Sequence, residues 1–355
     1  MTISLPEIPP LDREAAAAAA ARLDSLTKPR GSLGRLEELA IALAAMQGRP
    51  LPLVSRKLVL VVAADHGVVA QGVSAYPAEV TRQMVANFLA GGAAINVLSR
   101  VAGAELAVVD AGMVCPVDDP RVIGLRLGPG THDFSRGPAM SMGTAAEALR
   151  RGVALADRFD SDVVACGEMG IGNSTAAAAL AAALLGLTPA AAAGPGAGLD
   201  AAGVERKASV IARALAANRP DPANALDVLA KLGGFEVGIL AGFMVGAAAR
   251  RRVLLIDGVI STAAALIAAR LAPVVRDYMI AAHRSPEPAH GFMLEALALT
   301  PLLDFSMRLG EGSGAALTIP ILEAACRLLA EMATFDEAGV WRAVARTTEA
   351  NGDGG

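Results

Sequence analysis

Short, mainly apolar runs recur through the middle of this chain, at 58–64, 106–109, 122–127, 163–166, 253–256 and 279–282. Between them lie longer stretches in which apolar positions return every three or four residues, among them 77–89, 143–158, 206–217, 235–249 and 262–271. Short apolar runs alternating with helical periods predict a Rossmann-like α/β fold, a doubly wound, mainly parallel sheet with helices on both faces. Gly91-Gly92, Gly233-Gly234 and Gly258 punctuate the connections. The two ends carry only the helical period: 12–26 and 33–46, separated by the basic turn Lys28-Pro29-Arg30-Gly31-Ser32, and then 319–346. Segments 1–46 and 319–350 are therefore expected to meet as a small helical domain beside a large α/β domain of 47–318, with a flexible tail at 351–355.

Composition narrows the class. With 355 residues, 54% of them hydrophobic, the chain can bury a large core. Its mean hydropathy of +0.48 raises a membrane reading. The apolar stretches 176–187 and 237–249 fall short of the roughly 20 residues a bilayer span needs. Prolines and glycines interrupt the chain after the first, and Arg250-Arg251-Arg252 ends the second. Much of the hydrophobicity is alanine, which suits closely packed helices. A net charge of -4 and 3% aromatic residues argue against a nucleic-acid surface. Cys115, Cys166 and Cys326 are widely spaced and form no C-x-x-C pair, and the first residues lack the basic and apolar parts of a signal peptide. A cytoplasmic protein with reduced thiols is expected.

Candidate chemistry gathers where strands are expected to end, which is where open parallel sheets bind ligands. Asp65-His66-Gly67, Asp110, Gly167-Glu168, Asp257-Gly258 and His283-Arg284-Ser285 each follow such a run. A single acid there is commonly a cap or turn former, but five polar ends together favour a site. Gly167-Glu168-Met169-Gly170-Ile171-Gly172-Asn173-Ser174-Thr175 reads as a strand end, a loop and a helix start capped by Asn173, Ser174 or Thr175. Its G-x-x-G-x-G spacing is neither the dinucleotide fingerprint nor a P-loop, so an anion cradle and a tight turn both stay open. Glu311, within Gly310-Glu311-Gly312-Ser313-Gly314, is either a closely approachable general base or a residue at a helix start. His66, His132, His283 and His290 show no metal-ligand spacing, and no metal is expected.

Six segments in order resemble one family: Leu26-Thr27-Lys28-Pro29-Arg30-Gly31-Ser32-Leu33-Gly34, Ala64-Asp65-His66-Gly67-Val68, Gly167 through Thr175, Ile256-Asp257-Gly258, His283-Arg284-Ser285 and Leu309-Gly310-Glu311-Gly312-Ser313-Gly314. Together they are similar to the nicotinate-nucleotide:dimethylbenzimidazole phosphoribosyltransferases, over about 26–325. The resemblance implies a cytoplasmic homodimer in cobalamin lower-ligand assembly. It would use nicotinate mononucleotide and 5,6-dimethylbenzimidazole, with no cofactor. It further implies Glu311 as general base and Glu168 as a supporting carboxylate, with Ser74, Tyr76, Gln83, Met169 and Leu309 lining the base pocket. Gly170, Gly172, Asn173 and Ser174 would cradle the phosphoribosyl group, with Gly196 and Gly198 beside them. Lys207 would serve as the phosphate's cation, and Asp257 and Ser285 would complete the nucleotide site. A nucleotide hydrolase or another base-exchange transferase in the same crevice, or a non-catalytic nucleotide-binding protein, are the alternatives.

Overall fold

A computed structural model of the chain describes residues 4–341. Six strands form one parallel sheet: β1 (Lys57–Ala64), β2 (Glu105–Gly112), β3 (Val122–Gly124), β4 (Val163–Met169), β5 (Val253–Ile256) and β6 (Met279–Ala281). Their spatial order is β3-β2-β1-β4-β5-β6. The chain works outward from β1 to one edge, then returns to β1's other side with β4, so the winding reverses between β1 and β4. That reversal opens a crevice at the carboxyl ends of the two strands. β1 is buried along all but its first residue, as an unalternating apolar run requires of a central parallel strand.

Helices α1 (Arg13–Ser25) and α2 (Arg35–Gln47) precede the sheet; α3 (Glu79–Ala90) and α4 (Ala94–Ala102) join β1 to β2. Then come α5 (Met142–Leu155), α6 (Asn173–Leu185), α7 (Pro189–Ala192), α8 (Ala201–Asn218), α9 (Ala225–Leu232) and α10 (Phe235–Ala248). The last are α11 (Val259–Leu271), α12 (Pro288–Ala296), α13 (Ser313–Glu331) and α14 (Phe335–Ala338). One helical layer is built on α10 with α5, α9 and α11, the other on α3, α4 and α13. All 14 residues of α10 are buried. Gly238, Gly242 and Gly246 recur every fourth residue on α10, and a Cβ at Gly242 would stand 2.1 Å from the Leu149 carbonyl oxygen of α5. The two helices thus touch backbone to backbone. α13 is long and apolar enough to span a bilayer by composition, and it packs against α2, α4, β4 and β5.

The six expected strands and the expected helices are present, with informative shifts at their ends, whereas α4, α7, α9 and α12 lie in stretches the hydrophobic pattern did not single out. β3 stops at Gly124 rather than running on to Leu127, although the Leu125 and Leu127 amides still donate to the Asp110 and Ala111 carbonyls. β4 continues through Glu168 to Met169, because Val61 to Ala63 of β1 keep pairing with Gly167 to Met169. Consequently Glu168 is a strand residue and the loop proper begins at Gly170. Helix α8 starts at Ala201, well before 206, since the Asp200 side chain caps it through the Gly203 amide.

At the carboxyl end, α13 starts at Ser313, passes position 319 without a break and ends at Glu331, short of the helix expected to reach 346. The Met332 amide closes it onto the Leu328 carbonyl, and Leu26 and Thr334 form an antiparallel bridge beyond. Positions 342–346 of that expected helix, the rest of its domain segment to 350 and the tail 351–355 lie outside the described residues. Arg22 of α1 ties the two ends together, donating to the Leu329 carbonyl at 2.7 Å and the Ala330 carbonyl at 3.0 Å.

Candidate active site

At the winding reversal the carboxyl ends of β1, β4, β5 and β6 surround a cavity of about 600 Å³, in the size range of small-ligand sites. Glu168, Met169, Gly170, Gly172, Asn173 and Ser174 form one wall, supplied by β4 and the start of α6. Gly172, with φ +96°, is the N-cap of α6. The capping expected from Asn173, Ser174 or Thr175 does not occur, because the Asn173 amide group is drawn back to donate to Glu168. The Ile171 amide donates to Thr81 Oγ1 at 3.1 Å, which pins the loop to α3.

The adjoining wall, packed against β4, is the turn Leu309 to Glu311. Gly310, Glu311 and Gly312 have φ of +87°, +63° and +81°. For Glu311 that is a strained conformation, costing of order 1 kcal/mol. Close packing sustains it: a Cβ on Gly167 would meet the Glu311 carbonyl oxygen at 2.4 Å, and one on Gly310 would meet Glu168 Oε1 at 2.5 Å. The turn thereby holds Glu168 and Glu311 at the same cavity. Glu311 Oε2 accepts from the Ile95 amide in the first turn of α4 at 3.3 Å. Glu311 thus borders the cavity and immediately precedes Gly312, the N-cap of α13, while its carboxylate reaches the start of α4.

Both carboxyls are displaced from ordinary behaviour. Burial, reinforced by the charges of Asp257, Glu236 and Glu311, holds Glu168 well above the usual carboxylate range, against the pull of Asn173. Burial also raises Glu311, opposed by the Ile95 amide and helped by Asp257. In this site Glu168 is the harder acid to ionise and Glu311 the readier base.

A second cluster lies where the 194–198 loop meets α6 and α8. Lys207 is buried and donates to the Gly194 carbonyl at 2.8 Å and to Ser174 Oγ at 3.2 Å. Burial lowers it to about 8, with Glu287 opposing. Glu287 Oε1 accepts from the Gly196 amide at 2.7 Å, and Arg308 donates to the Gly196 carbonyl at 3.0 Å. Ser174, Gly196, Ser285, Glu287 and Arg308 line the cavity here.

Of the expected residues, the cavity brings together Ser74, Tyr76, Glu168, Met169, Gly170, Gly172, Asn173, Ser174, Gly196, Ser285, Leu309 and Glu311. Four do not line it. Gln83 is exposed on α3, whose cavity side is formed by Val80 and Met84, one turn apart. Gly198, with φ +122°, is turned out of the lining although Ala197 and Leu199 on either side of it belong to it. Lys207 stands directly behind Gly196, within 3.0 Å of where its Cβ would be. Asp257 lies beneath His283, 3.5 Å from Nε2, and accepts from the Ala315 amide at 2.9 Å. Asp65 and Asp110 organise loops instead, accepting from the Val114 amide and from the Gly112 and Met113 amides.

Glu287, Arg308, Val80 and Met84 are lining residues that sequence reasoning missed. Arg308 immediately precedes the Leu309-Gly310-Glu311 motif, and Glu287 follows His283-Arg284-Ser285 by two positions, so adjacency was their only signal.

The chain is similar to known proteins over nearly its whole length. A family profile described as phosphoribosyltransferase matches residues 8–340. Nicotinate-nucleotide--dimethylbenzimidazole phosphoribosyltransferase of Roseiflexus sp. (strain RS-1) is 55% identical over 341 residues, covering 95% of this chain and 97% of its own. Its counterpart in Chloroflexus aggregans (strain MD-66 / DSM 9485) is 54% identical over 344 residues, with 96% and 98% covered. The crystal structure of the enzyme from Thermus thermophilus superposes with a TM-score of 0.88 at 49% identity, over 94% of this chain and 100% of that one. With a profile over nearly its whole length and relatives above half identity end to end, the chain belongs to the nicotinate-nucleotide:dimethylbenzimidazole phosphoribosyltransferase family.

Proposed function

We propose that this chain transfers the phosphoribosyl group of nicotinate mononucleotide to 5,6-dimethylbenzimidazole, giving α-ribazole 5′-phosphate and nicotinate for the lower ligand of cobalamin. The observation that carries the reading is Glu311, a carboxylate with raised proton affinity held against a cavity beside a buried lysine cluster. One end offers an apolar surface for a flat heterocycle, from Val73, Val80, Met84, Met169 and Leu309. The other offers Ser174, Ser285 and the loop from Gly170 to Asn173 for a phosphoribosyl group, with Lys207 supplying charge from behind Gly196.

In the reaction the bond from the anomeric carbon to the pyridinium nitrogen breaks, and its electron pair returns to nicotinate. The ring already carries the positive charge, so its departure needs no general acid. One benzimidazole nitrogen forms the new bond from the opposite face, which inverts β to α. The other nitrogen then bears an acidic N–H, and Glu311 takes that proton. Glu168, protonated, borders the acceptor as a hydrogen-bonding neighbour. Holding the two rings in line supplies much of the acceleration.

The same reading makes the enzyme a cytoplasmic homodimer and treats 1–46 and 319–350 as one helical unit, supported by the Arg22 bridge between the ends. Purified protein, nicotinate mononucleotide and dimethylbenzimidazole are mixed and analysed by chromatography. Nicotinate and α-ribazole phosphate are expected in equal amounts. Nicotinate release that does not depend on the acceptor would mean hydrolysis, and no product would mean a binding protein; either refutes the proposal.

A further inference from the structure

Outside the cavity wall, an ionisable pair lies directly against the loop that forms it. His66, just after β1, places Nε2 2.8 Å from Glu236 Oε1 in the first turn of α10, and both side chains are fully buried. The His66 ring is packed on the loop: a Cβ at Gly170 would lie 3.5 Å from its Cδ2, and one at Gly172 would lie 3.2 Å from its Cβ. Gly234 admits the pair, since a Cβ there would fall 2.5 Å from His66 Cε1 and 2.3 Å from Glu236 Oε2. Gly170 and Gly172 line the cavity on their other side, and Asn173, next in the loop, holds Glu168. Contact is therefore continuous from α10 through His66 and the loop to Glu168.

Stability alone does not account for such a pair. Desolvating two charges costs more than their attraction commonly returns, and apolar replacements of similar volume are often neutral or stabilising. His66 Nδ1 and Glu236 Oε2 have no protein partner among the described residues, which deepens that cost. We propose that His66 and Glu236 are positioning residues, which fix the Gly170 to Asn173 loop from behind and so set the geometry of the nucleotide subsite. They touch neither substrate. The pair spans two separate elements, the end of β1 and the start of α10, so it locks the loop to the sheet and to the central helix together. Burial works against a charged ring, yet the Glu236 carboxylate outweighs it and, with Asp65, raises His66 above its usual value.

The inference rests on the proposed transfer reaction, and its test separates the two. Wild-type turnover examines the reaction. The variant His66→Phe with Glu236→Leu replaces the pair by apolar groups of similar size. In a folded double variant, KM for nicotinate mononucleotide and its calorimetric dissociation constant are expected to rise about tenfold, below the 10²-fold of a misaligned reacting pair. KM for dimethylbenzimidazole stays within about twofold. Glu236→Gln, which keeps an acceptor for Nε2, retains most of the nucleotide affinity. A folded double variant with unchanged nucleotide binding, or equal losses for both substrates, overturns the proposal. If the double variant does not fold, wild-type protein labelled at histidine decides: the His66 ring resonance shifts on adding nicotinate mononucleotide and is unmoved by dimethylbenzimidazole. No nucleotide-dependent shift equally overturns it.

Discussion

Gly167→Ala probes the backbone-to-backbone contact between β4 and the Glu311 turn. The new methyl group would stand 2.4 Å from the Glu311 carbonyl oxygen, 2.5 Å from its carbonyl carbon and 2.6 Å from the Gly312 nitrogen, all backbone atoms. Favourable contact needs about 3.5 Å, so the Glu311 turn must recede by about 1 Å. It cannot do so by a rotamer change, because β4 is paired on both sides and the turn is held in left-handed geometry by its two glycines. Overpacking of this kind costs about 1–3 kcal/mol of stability. A displacement of about 1 Å at the reacting group costs about 10²-fold in turnover. The assay pairs kcat for α-ribazole phosphate formation with a thermal unfolding curve. Gly291→Ala is the control: its Cβ enters open space on α12, and alanine there should stabilise by about 0.5–1 kcal/mol without changing kcat. A Gly167→Ala enzyme that folds and turns over at the wild-type rate would refute the reasoning that Glu311 is placed by its contact with β4.

The two carboxyls should respond unequally to amide replacement. Glu311→Gln is expected to lower kcat by about 10²–10⁴-fold with both substrates still bound, whereas Glu168→Gln, mimicking a group already neutral, should keep turnover within about tenfold; equal losses in steady-state assays would contradict the assignment. In kcat/KM against pH, activity rises as Glu311 deprotonates, at a pH above the ordinary glutamate value of 4.5. It falls above about 8 as Lys207 loses its proton. Saturating nucleotide should move the alkaline limb upward in kcat, since a bound phosphate favours the charged lysine, and an unmoved limb would take Lys207 out of phosphate binding. Gly242→Ala, whose Cβ would lie 2.1 Å from the Leu149 carbonyl oxygen, should cost about 3 kcal/mol and several degrees of melting temperature by separating α5 from α10; an unchanged unfolding curve would show that the helices can part freely.

Taken alone, the sequence determined the class of fold, most of the elements and the neighbourhood of the chemistry. Those are local properties: a buried parallel strand must read as an unbroken apolar run, a helix must repeat at its own period, and polar groups in such folds collect at strand ends. The ordered motifs went further and led to the family, because six segments far apart in the chain satisfy one site only if the fold joins them. What the tertiary structure decided was which polar end does what. Asp65, Asp110 and Glu168 look alike in sequence as acids at or after strand ends, yet two organise loops and only Glu168 faces the cavity. Gln83 and Met84 are adjacent, and the rotation of α3 turned Met84 to the site. Lys207, Asp257 and the His66–Glu236 pair stand one layer behind it. Burial, proton affinity and the close backbone contact between Gly167 and Glu311, residues far apart in the chain, are set by what packs nearby. No window along the chain contains both partners, so only the folded arrangement could settle them.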